Sequence, residues 1–261
     1  MKNTDKHITI EEAKSIQLDM LKEIDKFCRE NSIRYSLAFG TLLGAIRHKG
    51  FIPWDDDVDI MMPLPDMLRF RELFHSHTLR YCDVDFTPGY GYGFSRISNT
   101  LTYNKRGLVV KDYGICIDLY PIVSIPKETR EQSLFFEKAN TLNQRRFFMM
   151  KWNERAIKCL PIKSIPGYRK VIRAYRDYML DINNYGKTGV YYIIAGPLEL
   201  RDKMTYPFDL FKKLIEVDFE GYRFCAIDCY DYYLSLRYGD YMQLPPEDQR
   251  HPYHGGDYYW V

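Results

Sequence analysis

No stretch of this 261-residue chain approaches the ~20 consecutive apolar residues that a membrane-spanning helix needs. The opening MKNTDKHITIEEAK likewise holds no apolar run of signal-peptide length, so a cytoplasmic protein is expected. Charge of one sign is also missing. Lys and Arg number 37 against 35 Asp and Glu, a formal +2 that directs no global field at nucleic acid, and no nucleic-acid partner is expected. The six cysteines, Cys28, Cys82, Cys116, Cys159, Cys225 and Cys229, include no C-x-x-C pair, which argues against zinc and reads as reduced structural thiols. Internal repeats and low-complexity linkers are absent, so residues 1–261 are read as a single domain.

What the chain does have is apolar content of 46%, enough to bury a full core, and 23 Tyr with 15 Phe, crowded towards the end in YDYYLSLRYGDYM and HPYHGGDYYW. Tyrosines of this kind pack their rings and keep their hydroxyls wet, or form a cage for a quaternary ammonium. The periodicities predict an order of elements. Thr9 with Glu12 is a capping box that opens an amphipathic helix to Asn31. Alternation at Tyr35, Leu37 and Phe39 predicts a strand ending at Gly40-Thr41, followed by a short helix from Leu42 to His48 that stops at Gly50. Asp57 to Met61 read as a strand, Pro65 to Phe74 as a helix, and YCDVDF, YGFSRIS and YGICIDLYPI as further strands. From Glu128 to Asp181 the pattern is helical and basic, with Arg145, Arg146, Lys151, Arg155, Lys158, Lys163, Arg169 and Lys170. FEGYRF predicts a hairpin, Tyr230 to Tyr238 a short helix, and QLPPEDQRHPYHGG a closing loop.

The segment YSLAFGTLLGAIRHKGFIPWDDDVDIMMP sets four aspartates, Asp55, Asp56, Asp57 and Asp59, against apolar residues that read as buried. Carboxylates pinned beside a core need a counter-charge. Period two puts Asp57 and Asp59 on one face of their strand, about 7 Å apart, so both can converge on one ion. Asp118, a lone acid within an apolar strand, is a third candidate. Together the three would hold Mg²⁺ (or Mn²⁺), a hard ion that takes oxygen ligands and commonly keeps substrate phosphate in its shell. Gly40 lets backbone approach a phosphate, and the helix start beside Thr41 offers unpaired N–H groups. This combination points to phosphoryl or nucleotidyl transfer. Arg47, His48 and Lys49 lie where cations would meet phosphates, Arg47 foremost because its fork binds them bidentately. Arg96 is either a phosphate ligand or the partner of an aspartate, and His251 and His254 read as solvent-facing.

The same segment, followed by ICIDLYPI, FEGYRF and YLSLRYGDYMQLPPEDQRHPYHG in that order, resembles the LicD family of phosphotransferases across Tyr35 to His254. The resemblance implies an α+β fold with a nucleotidyltransferase-like mixed β-sheet core over about 30–125, flanking helices, a helical elaboration over about 128–210, and a C-terminal hairpin, helix and loop over about 214–261. It implies transfer of phosphocholine from CDP-choline, or of a related alcohol such as ribitol from another CDP-alcohol, to a hydroxyl of a cell-surface glycan or lipid-linked glycan, in lipopolysaccharide, teichoic acid or capsule synthesis. Carried over by position, it assigns Asp57 and Asp59 to metal and leaves Asp118 as the third carboxylate. Asp55, in step with Asp57, is a candidate fourth ligand, and Asp56, out of step, reads as a turn cap. For a choline cage the candidates are Trp54, Tyr90, Tyr92, Tyr241, Tyr253 and Trp260, with Trp54 first because it precedes Asp55. The basic stretch from Arg145 to Lys170 is a candidate for holding the protein peripherally at the inner face of a membrane. Alternatives stay open: a nucleotidyltransferase that attacks the α-phosphorus of a nucleoside triphosphate and releases pyrophosphate, a glycosyltransferase, or a degenerate binding subunit.

Overall fold

A computed structural model describes residues 6–105, 113–160, 164–195, 198–252 and 256–261. Thr9 and Glu12 form the expected reciprocal cap, with the Glu12 N–H donating to Thr9 Oγ1 at 3.2 Å and the Thr9 N–H to the Glu12 carboxylate at 2.9 Å. They open α1 (Ile10–Glu30), whose Met20, Leu21, Ile24 and Cys28 face the core. Strand β1 is only Ser36–Leu37, because the chain turns at Phe39, where φ is +43°, and α2 (Phe39–His48) starts there. The expected strand is thus shorter and the expected helix longer, and Gly40 and Thr41 sit inside the first helical turn. At the other end the left-handed residue is Lys49 (φ +61°) and not Gly50.

Next come β2 (Asp59–Pro63), α3 (Leu64–Leu73), β3 (Leu79–Cys82), β4 (Ser95–Asn99), β5 (Thr102–Asn104) and β6 (Cys116–Ser124). Asp57 falls two residues before β2, although the ladder already begins at Val58, whose carbonyl accepts the Asp118 N–H at 3.0 Å. The predicted strand YCDVDF ends at Cys82, because the Asp83 side chain accepts the N–H groups of Asp85 and Phe86 and bends the chain into a turn. The basic stretch folds as α4 (Thr129–Cys159) and α5 (Tyr168–Met179), which pack on each other. Short strands β7 (Tyr191–Ile193) and β8 (Thr205–Tyr206) follow. The hairpin β9 (Leu214–Phe219) and β10 (Tyr222–Ile227) turns through Glu220 and Gly221, both at positive φ, the geometry a two-residue loop needs to match strand twist. The chain closes with α6 (Tyr230–Tyr238) and β11 (Tyr258–Trp260), the latter pairing with β5.

The main sheet runs β1-β2-β6-β4-β3, with β7 and β8 continuing from the second half of β6. It is mixed: β2 and β6 are parallel and the other pairs antiparallel. Ile60, Met62, Ile117 and Leu119 lie in the core, as the alternation requires. That alternation fixes where the acids go. The register sets Asp59 opposite Asp118 across the parallel pair, and Arg96 opposite Asp118 across the antiparallel one.

Candidate active site

The first turn of α2 and the loop before β2 meet over the sheet. Thr41 Oγ1 accepts the Asp59 N–H at 2.8 Å, and the Asp59 carbonyl accepts the Ala38 N–H at 2.9 Å, so helix and strand are locked together at the acid. Thr41 therefore spends its hydroxyl on backbone and is buried. Gly40 is required by proximity: a Cβ there would lie 2.4 Å from Asp55 Oδ2. On the far side, buried Gln17 of α1 donates to the carbonyls of Asp56 and Cys116 and ties the acidic loop to β6.

A cleft of about 940 Å³ opens above this junction. Asp55, Asp57 and Asp59 line it with Gly40, Arg47, Trp54, Tyr120, Arg237, Tyr238, Tyr241 and His251. Among the described residues, the carboxylates whose oxygens all come within 4.8 Å of one another are those of Asp55, Asp56 and Asp57. This differs from the expected convergence of Asp57, Asp59 and Asp118. Asp56 belongs to the close trio without lining the cleft. Asp59 is buried deeper, and its Oδ1 has no hydrogen-bond partner among the described residues. Burial, followed by the charges of Asp57, Asp118 and Asp55, pushes its carboxyl well above the usual range. Burial and then Asp57 and Asp56 push the Asp55 carboxyl up to about 7.

Asp118 does not line the cleft. Arg96 grips it with two bonds, Nε to Oδ1 at 2.6 Å and Nη2 to Oδ2 at 3.0 Å, and Tyr120 donates to it at 3.3 Å. Of the two alternatives for Arg96, the structure shows the aspartate partner, with the Tyr92 ring stacked 4.2 Å from the guanidinium. Arg47 lines the cleft, but its Nη1 holds the carbonyls of Tyr241 and Gln243, at 2.8 and 3.2 Å, and so fastens the loop after α6. Lys49 is exposed at the end of α2 and does not line the cleft. Trp54 does, half-buried, with His48 edge-on at 6.3 Å and the Arg250 guanidinium 5.6 Å from its ring.

Of the other aromatic candidates, Tyr241 lines the cleft, Tyr90 is buried with its hydroxyl on the Phe94 carbonyl, Tyr92 faces Arg96, and Trp260 pairs in β11. Tyr253, His254 and Lys163 lie outside the described residues. Three residues that the sequence reading did not single out complete the wall: Tyr120, Tyr238 and Arg237. Arg237 lies 4.9 Å over the Phe39 ring, and its Nη1 is buried without a hydrogen-bond partner among the described residues. Its signal was present in YLSLRYGDYM, where one arginine follows an apolar helical pattern, but periodicity alone gives no reason to separate it from other cations. Phe39 itself, a bulky residue at positive φ, is held by the Tyr233 hydroxyl on its N–H at 3.1 Å and by Tyr120 edge-on at 5.0 Å. Strain of that kind persists only where the surroundings over-determine it.

Carboxylate oxygens are hard donors, and an orphaned buried oxygen amid repelling acids is the pattern a divalent cation relieves. The acidic floor therefore fits such an ion. The chain is 26% identical over 268 residues to the lipopolysaccharide cholinephosphotransferase LicD of Haemophilus influenzae, covering 95% of this chain and 97% of that one. It is 36% identical over 101 residues to an uncharacterized protein of Rickettsia prowazekii, 39% of this chain and 31% of that protein. It is 26% identical over 121 residues to mannosyltransferase regulator 4 of Saccharomyces cerevisiae, 43% of this chain and 10% of that one. The family model described as LicD/FKTN/FKRP, nucleotidyltransferase domain, matches residues 32–177, which hold the acidic loop, β2 and β6, and the chain belongs to that family.

Proposed function

We propose that this protein is a transferase that moves phosphocholine, or a related phospho-alcohol, from a CDP-linked donor to a hydroxyl of a glycan precursor. The observation that carries the reading is the crowded, under-neutralised acid floor of a cleft large enough for a nucleotide. The near full-length likeness to a lipopolysaccharide cholinephosphotransferase supports the choice of group and acceptor class. Asp57 and Asp59, with Asp55 beside them, are the residues that would hold Mg²⁺ or Mn²⁺; when bound, such an ion neutralises charge on the transferring phosphoryl group.

The rest falls to the chain. Gly40 lets the Asp55 carboxylate close on the start of α2, and Arg237, which lines the cleft, supplies a cation for a phosphate oxygen. Asp118, neutralised by Arg96, is a positioning carboxylate that fixes the charge behind Asp59. Trp54, Tyr238 and Tyr241 offer aromatic faces to a quaternary ammonium, which cannot donate a hydrogen bond. The test is product analysis: the protein is incubated with Mg²⁺, a glycan acceptor and either a CDP-alcohol from a panel or CTP. Release of CMP with CDP-choline is expected, and pyrophosphate from CTP in place of CMP would overturn the reading in favour of nucleotidyl transfer.

A further inference from the structure

The first half of helix α4 buries Phe136 and Ala139, but from Asn143 onward its fully buried residues are polar. On its inner face Asn143, Arg146 and Asn153 are buried, with Arg146 donating to the Gly91 carbonyl and Asn143, and Asn153 Oδ1 accepting the Ile165 N–H. On its outer face Phe148 is 61% exposed and Trp152 53%, their rings 6.0 Å apart. At 100° per residue, Phe148, Trp152 and Arg155 fall within about 60° of arc, with Arg145 on one flank and Lys151 and Lys158 on the other. Lys158 pairs with Glu154 at 3.1 Å, whereas Arg145, Lys151 and Arg155 have no ion-pair partner among the described residues. A solvated helix would place polar groups where the two aromatics stand. Aromatic rings framed by uncompensated cations match instead a surface that is apolar below and negatively charged at its rim.

We propose that this face of α4 docks the protein on an anionic lipid bilayer, Phe148 and Trp152 entering the interface while Arg145, Lys151 and Arg155 meet lipid phosphates. The surface stands apart from the cleft and does not depend on the chemistry performed there. The test is co-sedimentation of the full chain with vesicles of phosphatidylcholine alone or mixed with phosphatidylglycerol, with folding of each variant checked by circular dichroism and thermal melting. Binding is expected only to the mixed vesicles, weakening as salt rises, with a blue shift of tryptophan emission. Charge reversal of Arg145, Lys151 and Arg155 to Glu should cut partitioning by ~10²-fold or more, as the loss of three cations near an anionic surface implies. Phe148→Ser with Trp152→Ser should weaken it at constant charge, and Trp152→Phe should retain it. The proposal fails if the wild type stays in the supernatant at low salt, or if the charge-reversed protein binds equally well. It also fails if the serine variants only break a self-associated form that never sediments with lipid, which would make a second copy the occupant.

Discussion

Asp85 is gripped by three arginines, Arg71 at 2.6 Å, Arg173 at 2.7 Å and Arg176, whereas Asp55 and Asp59 face other acids in the cleft. Both regions are aspartate-rich loops beside strand ends of one sheet. In the first, burial works to raise the Asp85 pKa, but Arg176, Arg173 and Arg71 overcome it and hold the carboxyl down at about 2. In the second, burial and repulsion act together and raise Asp55 and Asp59. The difference separates charge that the fold neutralises from charge that it leaves uncompensated, the latter being what the proposed function would use. The Asp85 cluster is neutralised within the fold and joins α3 to α5, while the cleft cluster is stable only at a cost that a bound cation would remove.

The hardest test of that contrast is to remove an acid from the cleft. Asp59→Asn is expected to lower CMP release by at least ~10²-fold, the range seen when a group positioned at developing charge is removed. Metal-free stability should hold or rise, because repulsion is relieved. Full activity in the Asp57→Asn, Asp59→Asn double variant would break the comparison. Arg237→Ala should follow at ~10²-fold or somewhat less, with Arg237→Lys partly restoring activity, since the loss is of a cation at phosphate and not of packing.

The two clusters should also show opposite pH slopes. Asp55 is raised, so in EDTA the folded form keeps its proton up to about 7 while the unfolded chain loses it near 3.8. Stability is therefore lost as pH rises between those values, and Asp55→Asn should flatten the slope in thermal melts. Asp85 is depressed to about 2, so its contribution is full above 3.8 and lost as pH falls towards 2. At neutral pH, Asp85→Asn should cost about 2 kcal/mol by leaving three arginines without their carboxylate, a fall of several degrees in Tm, with CMP release per folded molecule unchanged. Equal loss of activity and stability in that variant would erase the distinction.

How much of this was legible beforehand follows the same physics. Local signals read well: the Thr9–Glu12 box, the FEGYRF hairpin and α6 lie where capping, turn chemistry and periodicity put them. The role of Arg96 was left between a phosphate ligand and an aspartate's partner, because it is brought opposite Asp118 only by the β4–β6 register, and strand order is not written in any window of sequence. The early start of α2 was missed because it depends on Tyr233, far along the chain, bonding the Phe39 N–H. Arg47 was placed ahead of Lys49 only for its bidentate fork. Only the tertiary structure separates one that fastens the loop at Tyr241 and Gln243 from one that sits exposed at a helix end.

The smallest expected effect concerns which alcohol the cleft prefers, and Trp54 is where the sequence and the structure both lead. Its ring lines the cleft next to Asp55, yet His48 meets it edge-on and Arg250 lies 5.6 Å from it, so part of its aromatic surface already serves a cation of the fold. A quaternary ammonium would have to share that ring with Arg250 or displace it, which limits the contribution to the lower part of the ~0.5–2 kcal/mol range of such contacts. Trp54→Leu keeps an apolar side chain and removes the π face. A cage predicts a loss of several-fold in kcat/KM with CDP-choline and little change with CDP-ribitol. A packing anchor predicts the same loss with both donors, because a displaced Asp55 loop would not distinguish the alcohols. The comparison is made on matched wild-type and variant protein, and a wild-type preference for ribitol would remove the cage from this cleft while leaving the acid floor as the seat of transfer.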